Sequence, residues 1–160
     1  MLKIKDKTLL LSLNFGGKGG KEREITQIFP SLLRKDSKKL DFICQEETVI
    51  YEMKKQQNLQ WFNLSKFYNL KGPEQKINFL FICIDKGGLI DLIFCIEKGV
   101  FLNILIEDRS NDDSGWNLTS IDLAHQLANV SSKVQCKAPV RMRSFFKKNK
   151  EEVKVIWEKE

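Results

Sequence analysis

The chain has 160 residues, 42% hydrophobic and 30% charged, a balance that suits one folded domain with a sizeable core and excludes a disordered chain. Its net charge of +6 favours a polyanionic partner such as nucleic acid. The longest apolar runs, Ile77 to Ile84, Leu89 to Ile96 and Val100 to Ile106, are interrupted by charge or glycine, so no membrane span is expected.

Met1 to Lys7 carries lysines but no small-residue cleavage site, so no signal peptide is expected and the chain reads as cytoplasmic. Thr8 to Leu13 is an apolar opening compatible with strand or helix. Phe15 to Lys21 is a glycine loop one residue short of a P-loop, and Glu22 stands where a Ser or Thr would hold Mg²⁺. Its Lys18 and Lys21 are candidates for contacts with a DNA backbone. Glu22 to Lys35 predicts a helix, because Ile25, Ile28, Phe29, Leu32 and Leu33 recur at spacings of three and four. Pro30 predicts a kink or a restart within it. Glu22 and Glu24 fall in its first turn, where the helix dipole favours acids whether or not they also approach a metal.

Leu40 to Cys44 and Val49 to Lys54 read as a β-hairpin, with Asp41 on its first strand and Glu52-Met53-Lys54 on its second. Alternation puts Glu52 and Lys54 on one face, about 7 Å apart along the strand. If the register lets Asp41 join that face, two carboxylates and one ammonium converge. Carboxylates held close repel unless a divalent cation lies between them. Oxygen donors alone favour a hard ion, Mg²⁺ with Mn²⁺ as substitute. A neighbouring lysine can orient an attacking water and offset the charge that builds on phosphorus. Acid-x-lysine occurs four times in the chain, at Asp36, Glu52, Glu74 and Glu152, so the triplet alone is weak. Only Glu52 ends an apolar strand with an acid-bearing strand just upstream. The plainer reading makes Glu52 and Lys54 ordinary surface charges.

Asn58 to Leu70 reads as a helix with a broad aromatic face, stopped by Lys71-Gly72-Pro73. Ile77 to Ile84 predicts a strand buried on both faces. Asp85 to Gly88 and Glu97 to Gly99 predict hairpin turns leading to two further strands. Glu107 to Gly115 reads as an acidic solvated loop. Thr119 or Ser120 is placed to cap a helix from Ile121 to about Val130. Val134 to Phe146 reads as a strand, with Arg141 and Arg143 on it and Lys147 and Lys148 beyond, the densest basic stretch of the chain. Glu151 to Glu160 is a terminal helix or strand. Cys44, Cys83, Cys95 and Cys136 show no CxxC spacing and read as buried thiols in a reducing compartment. The single His125 sits in an amphipathic pattern, which leaves serine–histidine and cysteine–histidine chemistry unsupported.

The order helix, acid strand, Glu-x-Lys strand, helix, buried strand resembles the core of the PD-(D/E)XK nuclease superfamily, and most of all its small type II restriction endonucleases. The residues that carry the resemblance are Asp41, Glu52, Met53 and Lys54, and it covers roughly residues 22 to 84. It implies an α/β fold with a restriction-endonuclease-like central mixed β-sheet flanked by helices. It also implies Mg²⁺ held by Asp41, Glu52 and the Met53 carbonyl, Lys54 serving the water, and Glu24 or Glu22 as an additional acid. The chain departs from the family pattern in two places. Leu40 replaces the eponymous proline, and Asp36 to Lys39 leaves no room for a strand before Asp41. Gln57 would sit near a phosphate.

A single domain over 1–160 is expected, acting on double-stranded DNA as a Mg²⁺-dependent endonuclease of restriction type. A homodimer would match a two-fold site. The alternatives are a homing or structure-specific endonuclease on the same fold, and a non-catalytic nucleic-acid-binding module using Arg141, Arg143, Lys147 and Lys148. A cytosolic assembly protein with incidental charge is the remaining class.

Overall fold

The computed structural model describes residues 2–16, 22–34, 42–44, 49–56, 59–63, 76–110 and 137–160. The opening segment is helical, α1 (Lys7–Ser12), because Asp6 caps it: its carboxylate accepts from the backbone N–H of Thr8 and Leu9 at 2.9 and 3.1 Å. Helix α2 (Glu22–Ile28) is shorter than its apolar periodicity suggested. Pro30 disfavours helical backbone at Phe29 and ends it. The chain turns, Leu32 N–H donating to the Phe29 carbonyl at 3.0 Å, and continues as strand β1 (Leu32–Arg34). Leu32 is buried and Leu33 exposed, the alternation of a strand rather than a helix face. A strand therefore does precede the acid-bearing segment, where the sequence pattern left no room for one.

Strands β2 (Phe42–Cys44) and β3 (Val49–Gln56) form the expected antiparallel pair, in register Phe42↔Tyr51, Ile43↔Ile50 and Cys44↔Val49. The helix expected over 58 to 70 is not what Leu59–Asn63 forms: it is strand β4. Its β-branched-poor sequence carried no strand signal of its own, and pairing with a distant segment decides it. Positions 64 to 70 lie outside the described residues. Strand β5 (Lys76–Ile84) runs parallel to β3, and β6 (Ile90–Glu97) pairs antiparallel with β5. Both are buried on both faces, as their composition implied. Gly88 in the turn between them has φ +84°, and an added Cβ would meet the Gly16 backbone nitrogen at 2.8 Å.

The strand expected at Val100 to Ile106 is instead part of helix α3 (Lys98–Ser110), which also takes in the first residues of the expected acidic loop. Phe101, Leu102 and Leu105 are its buried residues, at helical spacing. The expected 121–130 helix lies outside the described residues, as do His125 and Cys136. The expected strand over 134 to 146 is split into β7 (Lys137–Arg141) and helix α4 (Met142–Lys148). The chain ends in strand β8 (Lys154–Glu158).

Six strands form one mixed sheet in the order β1-β2-β3-β5-β6-β8, and β4 with β7 forms a separate two-stranded ribbon. One face of the sheet packs Leu80 and Ile82 against α1, α2, Phe42 and Tyr51. The other packs Phe79, Phe81 and Phe94 against Phe101 of α3, Val140 of β7, and Phe145 and Phe146 of α4. On that face the rings of Phe79 and Phe81 each meet Phe101 edge-on, at 5.1 and 5.2 Å. The architecture is α/β, with helices on both faces of a mixed sheet. Among the described residues no helix is long and apolar enough to cross a membrane.

Candidate active site

Glu52, Met53 and Lys54 lie on β3 and pair with β5; among the described residues β2 pairs with β3 only at Val49, Ile50 and Tyr51, just before them. Position 52 is in register with Phe79 and position 54 with Phe81, and Phe79 in turn pairs with Ile96 of β6. Both phenylalanines are wholly buried. Asp41 lies outside the described residues, immediately before Phe42, the partner of Tyr51. Glu22 and Glu24 occupy the first turn of α2, half-buried, and Ile25 and Ile28 of that helix pack into the core that holds Tyr51. Among the described residues no group of three or more His, Cys, Asp or Glu is placed to hold a metal ion. Carboxylate and carbonyl oxygens, the donor types expected from the sequence at 41, 52 and 53, are those a hard cation takes.

Lys18, Lys21 and Gln57 also lie outside the described residues. Arg141 ends β7 opposite Leu59 and is exposed. Arg143 has internal work instead. Its Nη2 donates to the Ile84 carbonyl at 2.7 Å, and its Nη1 pairs with Asp91 Oδ2 at 2.7 Å. It thus ties α4 to the end of β5 and the start of β6. Lys147 and Lys148 stand exposed in the last turn of α4, where the helix dipole favours cations.

Three groups were given no site role by the sequence. Asp91 stood inside an apolar strand with nothing to flag it. The pairs Cys83↔Leu92 and Ile84↔Ile90 leave it as the extra residue of a β-bulge. Its Oδ1 is buried with no hydrogen-bond partner among the described residues. Beside it, burial pushes the Cys83 thiol from its ordinary 9.0 up to about 12, with Arg143 opposing the rise and Asp91 adding to it. Such a thiol is inert, not nucleophilic, in keeping with Cys44, Cys83 and Cys95 being buried and outside any disulfide. The third is Lys98 at the start of α3, read as a turn residue; burial lowers its pKa. Asp91 lies five residues before Ile96 on β6, roughly 15 Å along the strand from the row that holds position 52.

No family model, curated protein or solved structure matches the chain.

Proposed function

We propose that the chain is a Mg²⁺-dependent endonuclease that hydrolyses phosphodiester bonds of double-stranded DNA, of site-specific restriction type, working in the cytoplasm as a homodimer. The observation that carries the reading is the ladder between β2 and β3. Phe42 pairs with Tyr51; the same register continued by one rung would set Asp41, which lies outside the described residues, opposite Glu52. Directly opposed positions on antiparallel strands have Cβ atoms about 5 Å apart, and like charges there are destabilising. A hard divalent cation between the carboxylates turns that repulsion into a binding site.

Further support comes from the order of strands. A helix, three antiparallel strands and a fourth strand parallel to the third form a contiguous block, α2-β1-β2-β3-β5. Its first part, a helix and then strands up to the Glu-x-Lys strand, follows the order of the PD-(D/E)XK resemblance, with β1 standing before the acid-bearing segment. The departure is β4, a strand where a helix was expected.

In this reading Asp41, Glu52 and the Met53 carbonyl hold the Mg²⁺; Glu22 and Glu24 stand on α2, which packs on the Leu80–Ile82 face of the sheet, whereas positions 52 and 54 share register rows with Phe79 and Phe81 of the other face, so neither is carried into the proposed site. The bound ion supplies charge stabilisation at the phosphate. Lys54 donates to the attacking water, orients it towards phosphorus, and offsets the negative charge that builds there. The water oxygen forms the new P–O bond and gives up a proton to solvent, while the bond to the leaving oxygen breaks and that oxygen takes a proton from solvent. Metal-dependent cleavage of duplex DNA by wild type, compared with Lys54→Ala, tests the proposal.

The β4 departure favours a second reading, a non-catalytic nucleic-acid-binding module. In it Arg141, Lys147 and Lys148 contact phosphates and Glu52 and Lys54 are surface charges. It binds duplex DNA with a steep salt dependence and cuts nothing under any metal.

A further inference from the structure

A cleft of about 390 Å³ is lined by α4, by the end of β8 and by Asp91 of β6. Asp91 stands near the opposite end of β6 from Ile96, whose row holds position 52, so the cleft is separate from the proposed catalytic strand. Its α4 side carries Arg143 and Lys147, one helical turn apart, and Lys150 just past the helix end. Its β8 side carries Glu158 and Glu160, with Lys159 between them. Among the described residues the one ion pair of these groups is Arg143 with Asp91, which leaves Lys147, Lys150, Glu158 and Glu160 without an ion-pair partner. Two of the cations are set in place by the fold. Arg143 is held by the Ile84 carbonyl and by Asp91, two bonds out of the five N–H donors that a guanidinium offers. Lys150 Nζ lies 5.5 Å from the centroid of the Phe146 ring, another lining residue. Cations placed in advance lose less freedom when an anion arrives.

We infer that this cleft binds a small phosphate monoester that also carries hydroxyl groups, a nucleotide or a sugar phosphate. The phosphate lies on the α4 side, where Lys147, Lys150 and the remaining N–H groups of Arg143 donate charge-assisted hydrogen bonds to it. The hydroxyls donate to the carboxylates of Glu158 and Glu160. The volume is that of a small-molecule site. A longer polyanion is disfavoured, because a run of phosphates crossing from the α4 side to the β8 side meets like charge at Glu158 and Glu160. The inference does not rest on the nuclease reading, and either can fail without the other.

The test is isothermal titration calorimetry of the full chain at neutral pH with AMP, ribose 5-phosphate, inorganic phosphate and adenosine. At least one of the two esters is expected to bind with a Kd below about 1 mM. Binding of AMP alone assigns a nucleotide, binding of ribose 5-phosphate alone a sugar phosphate, and binding of both the phosphoribose they share. Inorganic phosphate and adenosine, each lacking half of the contacts, should bind about tenfold less well or worse. Lys147→Ala/Lys150→Ala removes two exposed side chains, and its affinity for the ester is expected to fall by about tenfold or more. Lys3→Ala/Lys7→Ala removes the same charge from exposed positions near the N-terminus and should stay within about twofold of wild type. Glu158→Gln/Glu160→Gln should bring the ester and inorganic phosphate to within about threefold of each other. No binding of either ester, inorganic phosphate bound as tightly as the esters, equal losses in the two lysine pairs, an ester preference unchanged in the glutamine variant, or displacement of the ester by duplex DNA would each overturn the inference.

Discussion

Arg143 shows how a residue's type can mislead about its role. In the sequence it belongs to a basic stretch suited to phosphates. In the fold it satisfies the Ile84 carbonyl and the Asp91 carboxylate at the bulge of β6. Its side chain is 38% exposed, so the ion pair itself is screened and worth little. The larger cost of removing it is the two acceptors it would strand, the Ile84 carbonyl and Asp91 Oδ2, on a carboxylate whose Oδ1 already lacks a partner among the described residues. Arg143→Ala is expected to lower stability by about 1–3 kcal/mol in urea unfolding, against less than about 0.5 kcal/mol for the exposed Lys147→Ala. Cys83 supplies a pH signature at the same place. Its thiol keeps its proton in the folded state up to about 12, whereas the unfolded chain releases it near 9.0. The stabilisation is therefore complete below pH 9 and is lost as pH rises from about 9 towards 12. Unfolding followed across that window should show a shallower decline for Cys83→Ala than for wild type.

At the scale of elements, legibility followed burial. β5 and β6 were readable because strands covered on both faces are apolar throughout, a pattern that few alternatives share. The hairpin of β2 and β3 was readable in its alternation. The failures lie where the hydrophobic period was ambiguous or a distant partner decided. Leu32 and Leu33 continue the period of α2, but Pro30 breaks it and Leu32 pairs with Cys44. Val100 to Ile106 is apolar enough for either state, and the packing of Phe101 on Phe79 and Phe81 comes with helix. Leu59 to Asn63 is a strand because Lys137 to Arg141 lies beside it, more than seventy residues away in the chain. The candidate site was legible as residue types and spacing; the strand preceding it and the ribbon beyond it were not. The β2–β3 ladder carries its own expectation. If Asp41 and Glu52 oppose each other, Glu52→Gln relieves like-charge repulsion. Without metal it should raise the melting temperature by about 1–4 °C. Millimolar Mg²⁺ should then stabilise wild type and leave the variant unchanged. A variant that melts no higher than wild type without metal, or gains equally from Mg²⁺, would separate the two carboxylates.

For the molecule as a whole, one mixed sheet with helices on both faces gives the proposed chemistry a rigid base. Position 52 sits on a strand paired with β5, in register with buried Phe79, so its backbone is set by the sheet and not by a loop. The most direct measurement is incubation of plasmid and phage DNA with wild type and Lys54→Ala, in Mg²⁺, in Mn²⁺ and in EDTA. Discrete fragments with either metal, absent in EDTA and reduced at least a hundredfold in the variant, are the expected result. DNA left intact by the wild type, or cut equally well without Lys54, would contradict the nuclease.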